Sequence, residues 1–427
     1  MNLLAERPVG LRRPAIARAR VQVAVALLLV CIIPYLVRLA FNTSGRTDDA
    51  ALATLIANVV AVCSGFWLLR SLAMFPGAKD SYFVTPAFSA AFGLVLAVLV
   101  FARVDYSRAL LLSGYIIALI WFVSVSVIAG RRRRLHLGLV PFGDVESALS
   151  VPGVDWHPLQ GVDDTRDGLD AIVADFRADL PPEWERMLAD CALGGMVVYH
   201  TKQLREALTG RVEVEHLSEN NFGSLVPLAA YLRVKTVADW LAALACLPLV
   251  VPALLVIGLI VRLETPGPAI FRQQRVGYRG QPFVVYKVRT MRQLEQWSPD
   301  QRGTAITSDR DPRVTRFGRF LRRTRLDELP QVLNILRGEM SWIGPRPEAV
   351  ALSQWYEREL PFYRYRHVVR PGISGWAQVN QGHVAQIDEV REKLQNDFYY
   401  IKYFSPWLDI LIAIRTVGTV LTGFGSR

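Results

Sequence analysis

Two acids stand side by side at Asp327 and Glu328, directly behind Arg322, Arg323 and Arg325. On its own an Asp-Glu pair is usually a solvated face. Consecutive helical side chains diverge by about 100°, so both carboxylates serve one site only if a metal or substrate sits between them. The arginines change the setting, because guanidiniums this close form a cradle for phosphate or diphosphate oxygens. Gly344-Pro-Arg-Pro347 adds a stiff turn presenting Arg346. Carboxylates among arginines let one acid attack phosphorus while the other holds Mg2+, a hard cation that takes a few carboxylates plus substrate phosphate oxygens. Aspartate as a covalent phosphoryl acceptor is established chemistry. Lys287 and Arg289 share one face of an expected strand, Val284–Met291; they either bind phosphate or remain exposed strand charges. Arg370, ahead of Pro371-Gly372, is likewise a phosphate contact or a turn charge. His367 is expected to be structural, and Trp376, Tyr399, Tyr400, Tyr403, Phe404 and Trp407 to be core or interfacial aromatics.

These residues need elements to hold them. Thr265–Pro268 is a turn, Phe271–Phe283 a hairpin around Gly277–Gly280, and 404–421 a membrane-surface helix in which Asp409 and Arg415 disfavour a full span. The whole chain has 427 residues, enough for about two to three units. It is 52% hydrophobic and only 20% charged, which excludes a disordered chain and opposes a purely soluble one. Four cysteines without a CxxC pair signal neither a zinc site nor a disulfide scaffold. The net charge of +11 hides three blocks: residues 1–134 carry 15 Lys+Arg against 5 Asp+Glu, 135–230 carry 6 against 16, and 231–427 carry 28 against 17. Basic blocks beside apolar runs suit lipid headgroups and phosphate-bearing ligands rather than nucleic acid.

The apolar runs number four at the start: 21–37, 51–69, 84–102 and 109–130, each near the ~20 residues that cross a bilayer as a helix. The first lacks a small-residue cleavage site, so it is expected to be a retained span. Arg7, Arg12, Arg13, Arg18 and Arg20, then Arg70 and Lys79, then Arg131–Arg134 fall on one side; Arg46, Arg103 and Arg108 fall on the other. That asymmetry places the first set in the cytoplasm, together with everything after Arg134. Arg131–Arg134 is a stop signal in this reading, or else a nucleic-acid patch. A fifth run, 240–263, is long enough to span, but it carries Pro248 and Pro252 and has basic flanks on both sides. An interior proline removes a hydrogen bond and kinks a helix. A kinked span and a helix that enters and returns with its bend at Pro248 both fit.

Between the basic blocks, Leu135–Pro141 and Gly195–His200 look like buried strands, and Pro181–Leu193 and Thr201–Leu208 like helices. The alternation predicts a small α/β domain with a parallel sheet. Its first turn, Pro141-Phe-Gly-Asp144, lacks the glycines that let a backbone approach a pyrophosphate. A structural or assembly role is therefore the expectation there.

The run YKVRTM, DPRVTRFGRFLRRTRLDELPQVLNILRGEMSWIGPRPE, RPGISGWAQVN and YYIKYFSPWLD resembles the bacterial sugar transferase family, the polyprenyl-phosphate hexose-1-phosphate transferases or monotopic phosphoglycosyl transferases. The likeness covers roughly 230–427, and the preceding spans and α/β domain resemble its long-form members. Small departures are Gly338-Glu-Met-Ser341, where the family often has GDMS, and Val288, where it often has Phe. The resemblance implies Asp327 as nucleophile, Glu328 as the Mg2+-associated acid, Arg322 as the family's arginine, and 240–263 with Pro248 as its re-entrant helix; Arg346, Lys287, Arg289 and Arg370 are the further phosphate-binding candidates. It also implies a hexose-1-phosphate passing from a UDP-sugar to polyprenyl phosphate at the cytoplasmic face of the bacterial inner membrane, with release of UMP, at the start of O-antigen, capsule or exopolysaccharide synthesis.

The expected architecture is a membrane protein. A cytoplasmic tail (1–20) precedes an N-terminal four-helix transmembrane bundle (21–134) and a small acidic α/β, Rossmann-like cytoplasmic domain (135–222). A mainly α (α+β) catalytic domain (223–427) with the re-entrant helix completes it. The alternative is a catalytically idle membrane scaffold, which would have no need of Asp327 and Glu328 among arginines. A transporter would want internal repeats and an intramembrane acid. The sugar, the lipid chain length and whether the chain is a homodimer stay open.

Overall fold

The computed structural model describes residues 19–41, 49–72, 80–130, 135–213 except 152 and 167, 229–292, 311–381 except 312, and 386–422. The basic tail through Arg18, Arg46, Lys79, Arg131–Arg134 and the expected 222/223 domain boundary lie outside these. The chain forms two compact units, Met1–Gly210 and Arg211–Arg427.

In the first unit, α1 (Ala19–Ala26) and α2 (Ile33–Phe41) are joined by a π-helical turn, Leu27–Ile32. They pack with α3 (Asp49–Leu72) and α5 (Arg108–Gly130), and α4 (Asp80–Phe101) packs on α3 and α5. Phe88 stacks on Phe122 at 4.5 Å. Polar groups inside this apolar packing bond across helices: Asn58 Nδ2 donates to the Leu110 carbonyl, and the Ser107 amide donates to Thr54 Oγ1. Five helical stretches among the described residues are long and apolar enough to cross a membrane, four here and one in the second unit.

The expected parallel sheet is present. Its order is β2-β1-β3-β4, from β1 (Leu135–Leu139), β2 (Val154–Pro158), β3 (Ala171–Ala174) and β4 (Val198–His200), all parallel. β3 is buried on both faces because α7 (Pro182–Leu193) covers Ile172 and Ala174, while α6 (Val145–Leu149) and α8 (Thr201–Thr209) cover Ala171 and Val173. Ligands of such sheets sit at the carboxyl ends where strand order reverses. Here the Asp175 carboxylate occupies that point, accepting from the Asp144 amide at 3.1 Å, with the left-handed Gly143 close against it. A buried carboxylate opposes an incoming pyrophosphate.

The second unit is built on α9 (Ala229–Glu264), a 36-residue helix that continues through Pro248 and Pro252. One stripe of α9 is packed. Ala243 and Val250 meet Phe283, Val285, Val332, Ile335 and Met340, while Ile257 and Val261 meet Val288 and Leu321. The other faces expose Leu249, Leu255 and Leu263, at 79%, 71% and 78%. Both ends of the helix are bonded to the same unit. Near the start, Lys235 pairs with Asp409 at 2.7 Å and with Asp239 at 3.7 Å; Asp239 accepts from the Ser341 hydroxyl, and Tyr231 and Tyr400 both donate to Asp409. Near the end, the Phe317 amide donates to Glu264 at 3.2 Å.

β5 (Ile270–Val276) and β6 (Pro282–Val288) form the expected antiparallel hairpin, turning through left-handed Arg279 and Gly280. Next come α10 (Arg316–Thr324), a 3-10 turn (Leu326–Gln331), α11 (Val332–Leu336), β7 (Ser341–Ile343), α12 (Val350–Glu359), a 3-10 segment (Tyr363–Val368), β8 (Gly372–Ser374), α13 (Trp376–Asn380), α14 (Ile387–Lys402) and α15 (Pro406–Thr422). Trp376, Tyr399, Tyr400 and Phe404 are buried core residues, as expected, and Tyr403 and Trp407 are half-buried.

Candidate active site

The acids lie on the 3-10 turn after α10. Thr315 caps α10 by accepting the Gly318 amide at 2.9 Å, and Gly318 sits so close to the Thr290 carbonyl that a Cβ there would be 2.2 Å from it. α10 is thereby pressed against the end of β6. Arg325 closes the helix in the left-handed region at φ 58 and redirects the chain into Leu326-Asp327-Glu328. β6 is held on the other side by buried Asn334, which donates to the Val284 carbonyl at 2.7 Å and accepts from the Tyr286 amide at 3.3 Å. That clamp sets Lys287, one residue on, against the acids.

Glu328 Oε1 lies 2.9 Å from Arg346 Nη2, 3.1 Å from Lys287 Nζ and 3.7 Å from Arg325 Nη1. Burial works against its charge, but Arg346, Lys287 and Arg325 outweigh burial and hold the carboxyl well below the usual glutamate range. Asp327 is different. It is 9% exposed, and its Oδ1 is buried with no hydrogen-bond partner among the described residues. Burial pushes its pKa up, Glu328 adds to the rise, and Lys287, Arg346 and Arg322 oppose it. Burial also pulls Lys287 down to about 8, against the raising effect of Glu328. Arg322 donates from Nε to Thr290 Oγ1 at 2.9 Å and has Asp327 as the main acid acting on it.

The structure thus brings together Asp327, Glu328, Lys287, Arg322 and Arg346. The other two candidate cations are engaged elsewhere. Arg289 donates to the Thr265 and Pro266 carbonyls at 2.7 and 2.6 Å, closing the C-terminal end of α9. Arg370 donates to the Gly338 carbonyl at 2.9 Å and to Thr236, and covers the Tyr278 ring at 5.5 Å. His367 is buried beside Tyr363, and burial first, with Arg366 and Arg364, lowers it to about 3. Sequence reasoning missed the role of Asn334, which lies inside the quoted run but makes its bonds to Val284 and Tyr286 on β6.

Carboxylate oxygens are the donors available to a cation here. Among the described residues no group of three or more His, Cys, Asp and Glu converges. The unpartnered Asp327 oxygen beside Glu328 fits a hard divalent ion that completes its shell from substrate phosphate and water.

Over residues 230–423 the chain matches the family described as bacterial sugar transferase. It is 44% identical over 404 residues to the UDP-N-acetylgalactosamine-undecaprenyl-phosphate N-acetylgalactosaminephosphotransferase of Aeromonas hydrophila, covering 94% of each chain. It is also 44% identical over 194 residues to the UDP-glucose:undecaprenyl-phosphate glucose-1-phosphate transferase of Escherichia coli (strain K12), which is 45% of this chain and 41% of that one. A third relative, the exopolysaccharide production protein PSS of Rhizobium leguminosarum bv. phaseoli, is 39% identical over 45% of this chain and 96% of its own. The chain belongs to the bacterial sugar transferase family. It is a membrane protein and a sugar-phosphate transferase.

Proposed function

We propose that the chain moves a hexose-1-phosphate from a UDP-sugar to undecaprenyl phosphate through a covalent intermediate on Asp327. The carrying observation is the contrast inside the acid pair: Glu328 is locked by Lys287 and Arg346, while Asp327 keeps a buried oxygen without a partner among the described residues. In the first step a carboxylate oxygen of Asp327 attacks the sugar-bearing phosphorus. An aspartyl O–P bond forms, the diphosphate bridge breaks, and UMP leaves with the bridging oxygen. In the second step a phosphate oxygen of the lipid attacks the same phosphorus, the aspartyl O–P bond breaks, and the carboxylate is restored. The product is a polyprenyl diphosphosugar, the first lipid-linked unit of an O-antigen, capsule or exopolysaccharide.

Arg322 and Arg346 supply fixed positive charge where phosphate oxygens accumulate negative charge, with no reorganisation during the reaction. Glu328 and Asp327 would hold Mg2+, which when bound supplies neutralisation of the transferring phosphate. The sugar nucleotide we infer is UDP-N-acetylgalactosamine. The relative so named in Aeromonas matches this chain along nearly its whole length, while the Escherichia relative named for UDP-glucose matches 45% of it.

For topology we infer four crossings in the first unit. α9 would enter from the cytoplasmic face of the inner membrane and return to it, bent at Pro248, with both substrates' phosphates met there. The attachment of both ends of α9 to one compact unit supports that reading. The test is purified protein with Mg2+, undecaprenyl phosphate and a panel of UDP-sugars, following UMP. UMP release with UDP-N-acetylgalactosamine is expected, and no release from any UDP-sugar would refute the reading.

A further inference from the structure

Arg346 reaches Glu328 from a turn that has almost no freedom. Pro345 and Pro347 have no amide hydrogen to give, and four consecutive carbonyls in the turn are each taken by a different donor. The Pro345 carbonyl accepts from the Gly372 amide at 3.0 Å, Arg346 from Arg366 Nη2 at 2.8 Å, Pro347 from Arg275 Nη1, and Glu348 from the Val276 amide at 3.0 Å. Two of those four donors are guanidiniums. Arg366 is the deeper one, its side chain 2% exposed, and it is neutralised by equally buried Asp397 of α14 at 2.8 Å. Its Nη1 donates to the Tyr363 hydroxyl at 2.9 Å. A buried ion pair of this kind adds little to stability on balance. Its geometry, though, fixes the carbonyl of Arg346, which donates to Glu328 from outside the acid-bearing turn and its neighbouring strand.

We propose that Arg366, oriented by Asp397, is a positioning residue that aims Arg346 at Glu328 through the backbone of the Gly344–Glu348 turn. It touches neither acid and no substrate atom; it acts by holding a planar fork between the Asp397 carboxylate and the Arg346 carbonyl. Lysine cannot reproduce that fork, since its ammonium is a point charge on a flexible stem. The proposal rests on the transferase reading above, in which Glu328 must stay ionised and fixed.

The test is a double-mutant cycle on the full-length detergent-purified enzyme, with UMP release as the assay and melting temperature as the control for folding. Arg366→Lys should lower kcat by about tenfold to a hundredfold, as small displacements of catalytic groups do, and leave KM for the UDP-sugar unchanged. In an Arg346→Ala background the same substitution should change kcat by less than about twofold, because the group it positions is gone. Asp397→Asn, which keeps the shape of the site, should show the same dependence and carries the cycle alone if Arg366→Lys does not fold. Equal fold-losses in both backgrounds, or a kcat of Arg366→Lys equal to wild type, would overturn the positioning role while leaving the transferase reading intact. A wild-type enzyme that releases no UMP would instead remove the reading itself, and the proposal with it.

Discussion

Glu328 and Asp327 are consecutive in the chain and opposite in their partners. Glu328 Oε1 is 2.9 Å from the Arg346 guanidinium and 3.1 Å from the Lys287 ammonium, whereas Asp327 Oδ1 is buried with no hydrogen-bond partner among the described residues. Two carboxyls whose surroundings push their pKa values apart divide the labour of a site. Here one is fixed as a permanent anion, and the other is left with an oxygen to share.

Asp327→Asn keeps the shape and removes the anionic nucleophile. Turnover should fall roughly 10³-fold or more, while the melting temperature holds or rises, because a buried carboxyl without a full set of partners is exchanged for a neutral amide. Intact-protein mass spectrometry with UDP-sugar and no lipid should show the phosphosugar adduct on the wild type and not on the variant. Near wild-type turnover in the variant would end the nucleophile assignment.

The pH profile should have an alkaline limb set by Lys287. Its pKa is lowered to about 8, so it is charged below that value and loses its proton as pH rises through it, taking a cation from the site. Unfolded lysine holds its proton to higher pH, so the unfolded state binds more protons in this window and stability rises with pH. Loss of activity there is therefore not unfolding driven by Lys287. Lys287→Arg should move the limb upward, and a limb that stays at about 8 in that variant would assign it to another group.

Glu328→Gln strands two cations. Leaving Lys287 and Arg346 without their shared acid should cost about 3 kcal/mol, seen in chemical denaturation. The wild-type carboxyl sits below the usual range, so its stabilisation is present above the unfolded pKa and disappears as pH falls through the folded value. EDTA should abolish wild-type activity and Mg2+ restore it. A Gln variant with wild-type Mg2+ dependence would take Glu328 out of the metal role.

Arg289 and Arg370 should separate from the phosphate-binding cations by phenotype. Arg289→Gln frees the Thr265 and Pro266 carbonyls, and Arg370→Gln frees Gly338. Each should lower the melting temperature with KM for the UDP-sugar changed by less than about twofold, since a cation spent on backbone carbonyls has little left for substrate. A several-fold rise in KM at unchanged stability would return either residue to the phosphate site.

Cysteine labelling tests α9. In a background lacking Cys31, Cys63, Cys191 and Cys246, reporters near Arg233 and Arg279 should both be protected from an impermeant reagent until cells are lysed. Labelling near Arg279 in intact cells would show a full crossing. Pro248→Ala restores a donor and removes a clash, so it should favour that crossing and reduce activity.

What was legible in the sequence was mostly local. The β5–β6 hairpin shows in its glycines, α7 and α8 in their periodicity, and the site in a run where Arg322, Asp327 and Glu328 are neighbours. β3 was not legible, because Ala171–Ala174 is four residues with no alternation, buried on both faces. Asn334 and Arg366 were missed for a different reason: their partners Val284, Arg346 and Asp397 stand 50, 20 and 31 residues away. Arg289 and Arg370 show the converse limit. Residue type announces a cation but not whether it will meet phosphate or a carbonyl.

Lys235, Asp239 and Asp409 have an order in time as well as in space. The ribosome delivers α9 long before α15, so the apolar helix meets the bilayer while Asp409 does not yet exist. Until then Lys235 has Asp239, one turn away at 3.7 Å, to offset its charge at the membrane surface. With Asp409 in place the lysine holds both acids, Asp409 at 2.7 Å and Asp239 at 3.7 Å, and the Ser341 hydroxyl donates to Asp239. The seat of the membrane helix is thus completed by a segment far downstream, with Asp409 standing 178 residues after Tyr231, and a chain lacking α15 carries α9 without that ion pair.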